Sequence, residues 1–170
     1  MNTERIQHVY ANSALYLGGG VDSGVCIIPP EQGDTKRYVA HFYKNHLPVS
    51  QLNFYVRLTN EASRIADLEQ WRWDFGHRIG QLAVRVVPFE EILFHEELPI
   101  GISEQIMALR CSGTYETHFV DPFLKLNKFM NDRLGVSGIW IIPFNAQYSG
   151  KNGTLFITDL CDAIMNLKAR

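Results

Sequence analysis

The sequence has no excess of positive charge. It carries 16 Lys and Arg residues against 18 Asp and Glu residues, for a formal net charge of −2. Proteins that grip a nucleic-acid backbone usually show a basic excess or a basic stripe. The longest basic cluster, Lys36-Arg37, is typical of a solvated surface. We therefore expect no nucleic-acid partner.

The sequence also lacks paired cysteines and long apolar runs. Its three cysteines, Cys26, Cys111 and Cys161, are far apart, whereas small secreted domains normally carry an even disulfide framework. No stretch approaches the roughly 20 apolar residues of a membrane span. Residues 1–7 are polar and do not resemble a signal peptide. These absences predict buried, reduced thiols, no membrane contact and a cytoplasmic location.

Motifs for catalysis and metal binding are missing as well. The histidines do not follow H-E-x-x-H spacing, and C-x-x-C and G-x-S-x-G strings are absent. The carboxylates Glu90-Glu91 and Glu96-Glu97 are adjacent in sequence, so the two members of each pair point in different directions. They predict an acidic surface patch. We therefore predict no catalytic residue, no metal site and no cofactor.

What the sequence does contain is material for a core. Its 170 residues are 46% hydrophobic and 12% aromatic. A chain of this length can fold without stabilisation by disulfides or metal ions. No internal repeat, low-complexity tract or linker interrupts it. We predict a single globular domain over residues 1–170.

The periodicity of apolar residues predicts helices and strands in mixed order. Spacings of three and four predict helices at 6–17, 60–73, 121–134 and 159–168. Alternation and short apolar runs predict strands at 25–28, 38–43, 51–58, 80–88, 139–144 and 154–158. Segments 89–98 and 103–110 fit either element. Strands joined by short loops predict an α+β fold, with an antiparallel or mixed sheet and helices packed against it.

The string Gly18-Gly19-Gly20-Val21-Asp22-Ser23 resembles the pyrophosphate loop of the adenylating PP-loop ATPases. That resemblance implies backbone N–H groups and a serine that hold pyrophosphate at the start of a helix. The segment before this string is predicted to be helical, however, and the segment after it runs into Pro29-Pro30. We therefore interpret the glycines as the turn that ends the first helix.

A second resemblance lies near the C-terminus. Residues 134–144, which end in Ile142-Pro143-Phe144, are followed by a glycine-containing turn and the strand predicted at 154–158. This arrangement resembles part of the GAF-type sensor domains and implies a role in binding a ligand or a partner.

The most unusual local sequence is Trp71-Arg72-Trp73-Asp74-Phe75. In an extended segment Trp71, Trp73 and Phe75 share one face and form an aromatic ridge. Such a ridge is either part of the core or a binding surface, where Trp and Arg contribute much of the energy. Trp71, Arg72, Trp73 and Phe75 are thus our candidate binding residues.

Two functional interpretations remain open. The first is a non-enzymatic binding or regulatory module that acts through a protein partner, a twofold homodimer or a small ligand. The alternative is a small hydrolase or nuclease whose site is assembled from distant residues, among them His41, His95 and the carboxylates at 90–97. A cleft that brings such side chains together would favour the enzyme.

Overall fold

The computed structural model describes residues 6, 9, 12–19, 22–44, 47–77, 79–95, 98–110, 116–161 and 163–170. It contains two five-stranded sheets, each ordered as its strands lie in space. Sheet A is antiparallel and consists of β1 (Tyr16–Gly19), β2 (Ser23–Ile28), β3 (Tyr38–Tyr43), β7 (Leu98–Glu104) and β6 (Phe89–His95). Sheet B consists of β4 (Arg72–Asp74), β5 (Gln81–Val86), β11 (Thr154–Ile157), β10 (Ala146–Ser149) and β8 (Leu109–Arg110).

Sheet B is mixed, because β5 and β11 run parallel while its other neighbouring strands are antiparallel. Two long helices accompany the sheets, α1 (Val49–Leu68) and α2 (Glu116–Leu134). Short 3-10 helices cover Ser13–Leu15, Pro143–Asn145 and Ile164–Asn166, and β9 (Val136–Ser137) pairs with β12 (Lys168–Ala169). The predicted α+β class is confirmed, with helices packed against mixed and antiparallel sheets.

Two apolar clusters form the core. The larger one joins α1, sheet B, α2 and the C-terminal segment. The smaller one covers one face of sheet A, where Cys26, Ala40 and Ile102 pack with the helical residues Ile6 and Val9. Because side chains alternate along a strand, the neighbours of these residues point to the opposite face of sheet A. That opposite face borders the cleft described below.

The strand predicted at 51–58 is wrong. Leu52, Phe54, Val56 and Leu58 alternate with polar residues, but the whole segment lies inside helix α1. The buried face follows the helical period instead, and its members are Leu52, Tyr55, Leu58, Thr59, Ala62, Ser63, Ile65 and Ala66. Packing of this face against sheet B outweighs the local alternation.

The helix predicted at 159–168 is also wrong, since a 3-10 turn and β12 occupy this segment. At 139–144, extended residues lead into a 3-10 helix in place of the predicted strand. The reason is that side chains of α2 satisfy this backbone. The Asn127 side chain accepts a hydrogen bond from the backbone N–H of Ile141 at 2.8 Å and donates one to its carbonyl oxygen at 3.1 Å. The Asn131 side chain pairs in the same way with the N–H and the carbonyl oxygen of Ile139, both at 3.0 Å.

The start of the chain is only partly described. Ile6 and Val9 are helical and buried, as predicted, but the other residues of the predicted helix up to Ala11 lie outside the described residues. The prediction fails at Leu17, which belongs to β1. Farther along, Pro122 lies inside α2, not at its start, whereas the strands predicted at 25–28, 38–43, 80–88 and 154–158 are confirmed.

The structure also bears on the state of the cysteines and on membrane crossing. Cys26 and Cys161 are buried and form no disulfide with each other, as predicted for reduced thiols, while Cys111 lies outside the described residues. Neither of the described helices combines the length and the apolar character that a membrane crossing requires.

Candidate functional site

A cleft of about 860 Å³ separates sheet A from sheet B. Sheet A contributes the face opposite its buried apolar layer, with Val25 on β2, Val39 and His41 on β3, and Ser103 on β7. The other side is formed by residues next to the strands of sheet B. They include Val87 after β5, Ile142 and Phe144 before β10, and Asp159 and Cys161 after β11.

The chain passes from sheet A to sheet B along one edge of this cleft. Residues 104–108 leave β7, border the cleft and lead into β8. Gln147 on β10 holds this connection, since its side-chain nitrogen donates to the carbonyl oxygens of Ile106 at 2.8 Å and Ala108 at 3.2 Å. The connection therefore brings backbone polar groups to the edge of a space lined by both apolar and polar side chains, a combination found in small-molecule sites.

The mouth of the cleft is bordered by the β1–β2 hairpin. Leu17, Gly18 and Gly19 on β1 and Ser23 on β2 line it. A Cβ atom on Gly19 would lie 2.7 Å from the backbone oxygen of Ser23, so only glycine allows this approach of the two strands. The predicted turn at the end of a helix is thus a hairpin in a sheet, and Gly20 and Val21 lie outside the described residues.

His41 lies on the sheet A side of the cleft. Its Nε2 is 2.9 Å from Oγ of Ser103, and its ring contacts Phe89 edge-on at 5.4 Å between centroids. Burial lowers the pKa of His41 to about 4. The imidazole is therefore neutral at physiological pH and acts as a hydrogen-bonding group without charge.

Asp159 lies on the other side of the cleft, two residues after the end of β11. Its Oδ1 accepts hydrogen bonds from the Tyr55 hydroxyl at 2.7 Å and from the backbone N–H of Cys161 at 3.2 Å. The pKa of Asp159 is raised to about 6, mainly by burial and to a smaller extent by the charge of Asp22, against the opposing effect of these hydrogen bonds. A carboxyl group with such a pKa can both bind and release a proton near neutral pH.

The segment that follows Asp159 is held from two directions. Gln51 of α1 donates to the carbonyl oxygens of Ile164 and Leu167, both at 2.8 Å. Asp22, buried at 6% exposure, accepts from the backbone N–H of Ile164 at 2.5 Å. Helix α1 and the start of β2 thus fix the chain on the far side of Asp159.

The predicted binding residues lie elsewhere. Trp71 and Phe75 are buried in the larger core cluster, and Trp73 is half-buried against Phe129, with ring centroids 5.2 Å apart. Arg72 is exposed. None of the four lines the cleft, and their role in binding stays a prediction.

Of the residues named for an enzyme whose side chains the structure describes, His41 lines the cleft, and Glu90 and Glu91 do not. Glu90 is exposed and pairs with Lys36 at 2.8 Å. The side chain of His95 and all of Glu96 and Glu97 lie outside the described residues. Within the described part of the chain, no three His, Cys, Asp or Glu residues are grouped as a metal site requires.

Asp159 was missed from the sequence because it falls in the segment predicted to be a helix. Tyr55 was missed with it, because residues 51–58 were predicted to be a strand. A usable signal was present, since Asp159 directly follows the buried strand that ends at Ile157 with only Thr158 between them. Polar residues just beyond a buried strand commonly border functional sites.

Solved structures resemble this fold, and two of them are protein kinase domains. The autoinhibited serine kinase domain of the giant muscle protein titin matches with a TM-score of 0.48 and 19% identity, over 85% of this chain and 43% of that chain. A kinase of the Cydia pomonella granulovirus matches with a TM-score of 0.45 and 12% identity, over 94% of this chain and 56% of that chain. This chain thus spans about half the length of either structure.

No family model and no curated protein matches the sequence. The matched structures are enzymes of the kinase class, so they contradict the interpretation of the sequence as a non-enzymatic binding or regulatory module. They equally contradict the alternative of a small hydrolase or nuclease. Association with a protein partner or a second copy stays a prediction.

Proposed function

We propose that the cleft between sheets A and B is the active site of an enzyme that binds a small molecule with a flat ring system. Asp159 would act as the base that takes a proton from a hydroxyl or amine of the bound molecule. The observation that carries this proposal is a carboxyl group of raised pKa at the wall of a ligand-sized cleft. Ligand sites typically occupy about 300–1,000 Å³.

The walls favour a flat ligand. Val25 and Val39 lie on neighbouring strands of sheet A and face the cleft, while Ile142 and Phe144 approach from the other side. Apolar side chains on two opposed walls bury both faces of a ring. The polar groups lie at the edges, where the 104–108 connection and Asp159 can contact ring substituents.

The pKa of Asp159 suits a general base. At about 6, most molecules carry the ionised carboxylate at pH 7, yet the carboxylate is a stronger base than an ordinary exposed aspartate. Tyr55 orients it through a single hydrogen bond from a helix. A base held by a rigid element transfers protons more effectively than one on a mobile side chain.

Titration calorimetry with adenine, adenosine and ATP tests the proposed site. We expect at least one of them to bind and its affinity to fall at least about tenfold in Val25→Trp, because the indole would fill the space between the walls. Ile27→Trp is the matched control, since it lies two residues along the same strand and outside the lining. Absence of binding by all three probes at millimolar concentration, or unchanged binding in Val25→Trp, contradicts the proposal.

A second candidate function is transfer of a phosphoryl group from a nucleotide. The glycine hairpin favours it, because Gly18 and Gly19 border the mouth of the cleft and lack side chains that would keep a phosphate at a distance. Formation of ADP from ATP in the presence of a hydroxyl acceptor would support this candidate. ATP binding without ADP formation would count against it.

We also propose a cytoplasmic location, for which the cysteine pattern is the support. Fractionation of the native cell tests this location.

A further inference from the structure

The described ionisable side chains that line the cleft are acidic or uncharged, and none is a lysine or an arginine. The lining residues that the structure describes include two carboxylic acids, Asp159 and Glu104, together with His41 and Cys161, and no Lys or Arg. Glu104 is balanced by Lys36, whose Nζ lies 3.3 Å away on the exposed side. Asp159 is left as the acidic group that determines the character of the inner wall.

The negative character near Asp159 is reinforced by a second carboxylate. Asp22 is buried outside the lining of the cleft, and its charge raises the pKa of Asp159 by less than burial does. Carboxylates repel an anion and attract a cation or a polarised N–H. Low exposure to water makes both effects stronger than they would be on a surface.

The protein leaves part of the Asp159 carboxylate available. An ionised carboxylate has about four lone-pair sites, and the donors to it among the described residues are the Tyr55 hydroxyl and the backbone N–H groups of Cys161 and Leu160. At least one lone pair therefore remains for a donor on the ligand. On the opposite wall His41 is neutral, because burial lowers its pKa, so it supplies no positive charge for an anion.

Taking the proposed active site as given, we infer that the cleft selects a flat heterocycle bearing an amine that donates to Asp159, and discriminates against ligands that carry a phosphate. The amine places a hydrogen-bond donor where the wall presents a carboxylate. A phosphate would bring further negative charge into a space whose described lining contains the carboxyl groups of Asp159 and Glu104 and no Lys or Arg. This inference also separates the first proposed function from the phosphoryl-transfer candidate.

A matched set of three probes tests the inference by titration calorimetry at pH 7.5. Adenosine carries the amine and no phosphate, purine riboside lacks the amine, and adenosine 5′-monophosphate adds the phosphate. We expect adenosine to bind at least about tenfold more tightly than either of the others, because a hydrogen bond to a charged group provides discrimination of this size. Equal or tighter binding of the monophosphate overturns the inference, and so does equal binding of purine riboside.

Two variants connect the selectivity to the residue. Asp159→Asn removes the charge, so we expect the preference for adenosine over its monophosphate to shrink by about tenfold. Asp121→Asn is the control, because this aspartate is exposed on helix α2 and should leave the preference unchanged. An unchanged preference in Asp159→Asn overturns the assignment to this residue.

The same experiment separates failure of the inference from failure of the proposed site. If the monophosphate binds best and its binding is lost in Val25→Trp, the cleft is the binding site but its selectivity is the opposite of that inferred. If none of the three probes binds, the proposed active site itself fails, and the inference fails with it.

Discussion

The hydroxyl of Tyr55 donates a hydrogen bond of 2.7 Å to Oδ1 of Asp159, across 104 residues of sequence. This bond joins helix α1 to the segment after β11 and lowers the pKa of Asp159, against the larger effect of burial. The phenol is itself buried, which raises the pKa of Tyr55 well above its usual value. Tyr55 therefore remains a donor throughout the physiological pH range.

Replacement of Tyr55 by Phe should raise the pKa of Asp159 above 6, since the hydrogen bond that stabilises the carboxylate is lost while burial remains. Carbon-detected NMR titration of the Asp159 carboxyl group measures this shift. Tyr148→Phe in β10 is the control and should leave the titration unchanged. A lower pKa in Tyr55→Phe would show that the phenol does not stabilise the ionised form.

Replacement of Asp159 by Asn should increase the stability of the fold at pH 8. The folded-state pKa of about 6 lies above the unfolded value of roughly 3.9, so the folded state binds more protons between these values. The contribution of Asp159 to stability is thus present below about pH 4 and is lost as pH rises through 6. At pH 8 the ionised group costs up to about 3 kcal/mol, which the neutral amide avoids.

Urea unfolding of Asp159→Asn and the wild type at pH 4 and pH 8 provides the measurement. We expect the variant to gain stability relative to the wild type as pH rises between these values. A constant difference across this range would mean that Asp159 titrates with an ordinary pKa. Such a gain in stability on removal of a charged group is common at functional sites.

His41 should have the opposite dependence on pH. Its folded-state pKa of about 4 lies below the unfolded value of roughly 6.5. Its contribution is therefore fully present above pH 6.5 and is lost as pH falls toward 4, by up to about 3 kcal/mol. Asp159 titrates over a similar pH range, but its contribution to stability decreases as pH rises, whereas that of His41 increases. The two contributions therefore partly cancel in the pH dependence of wild-type stability.

The variant His41→Gln separates them, since glutamine keeps a hydrogen-bonding group near Ser103 and does not titrate. We expect the stability difference between wild type and His41→Gln to diminish as pH falls from 7 to 4. The exposed His77 provides the control variant His77→Gln, which should leave the pH dependence unchanged. An equal difference at both pH values contradicts a buried, neutral His41.

Four of the strands, β2, β3, β5 and β11, could be predicted from the sequence, but the site could not. Strands such as β3 and β5 were recognisable because their alternation agrees with the burial that the fold imposes. The first half of helix α1 was not, because Leu52, Phe54, Val56 and Leu58 alternate like a strand, and only packing against sheet B selects the helical face through Tyr55. The second half agrees with the helix predicted at 60–73 as far as Leu68, where α1 ends. A local pattern cannot report a contact that the rest of the chain creates.

The site could not be found for the same reason. Its residues come from β2, β3, β7 and the segment after β11, and the sequence gives no sign that these segments face one another. His41 was one of six histidines without a spacing to distinguish it. The raised pKa of Asp159 arises from burial between two sheets, a property of the assembled fold.

Trp71 and Arg72, two of the binding residues predicted from the sequence, should differ in their effect on stability. Trp71 is buried at 6% exposure and contacts Phe129 edge-on. Its replacement by Ala should cost about 3–5 kcal/mol, as expected for a large buried side chain. Arg72→Ala, at the exposed neighbouring position, should change stability by less than about 0.5 kcal/mol. A loss below 1 kcal/mol for Trp71→Ala in urea unfolding would contradict its place in the core.

Asn127 and Asn131 should be as important for stability as the apolar residues around them. Each side chain pairs with both backbone groups of one residue, Ile141 or Ile139, in the way a neighbouring strand would. Replacement by Ala leaves a buried N–H and a buried C=O without this partner, which costs about 1–3 kcal/mol for each unsatisfied group. We therefore expect Asn127→Ala and Asn131→Ala each to lose about 2–4 kcal/mol in urea unfolding.

Lys128 provides the matched control, because it follows Asn127 on the same helix and its side chain is 80% exposed. Lys128→Ala should cost less than about 1 kcal/mol, as surface ion pairs contribute little. The double variant of both asparagines should lose less than the sum of the single losses, since the first change already frees the segment at 139–141 from α2. Strict additivity would mean that the two asparagines hold this segment independently of each other.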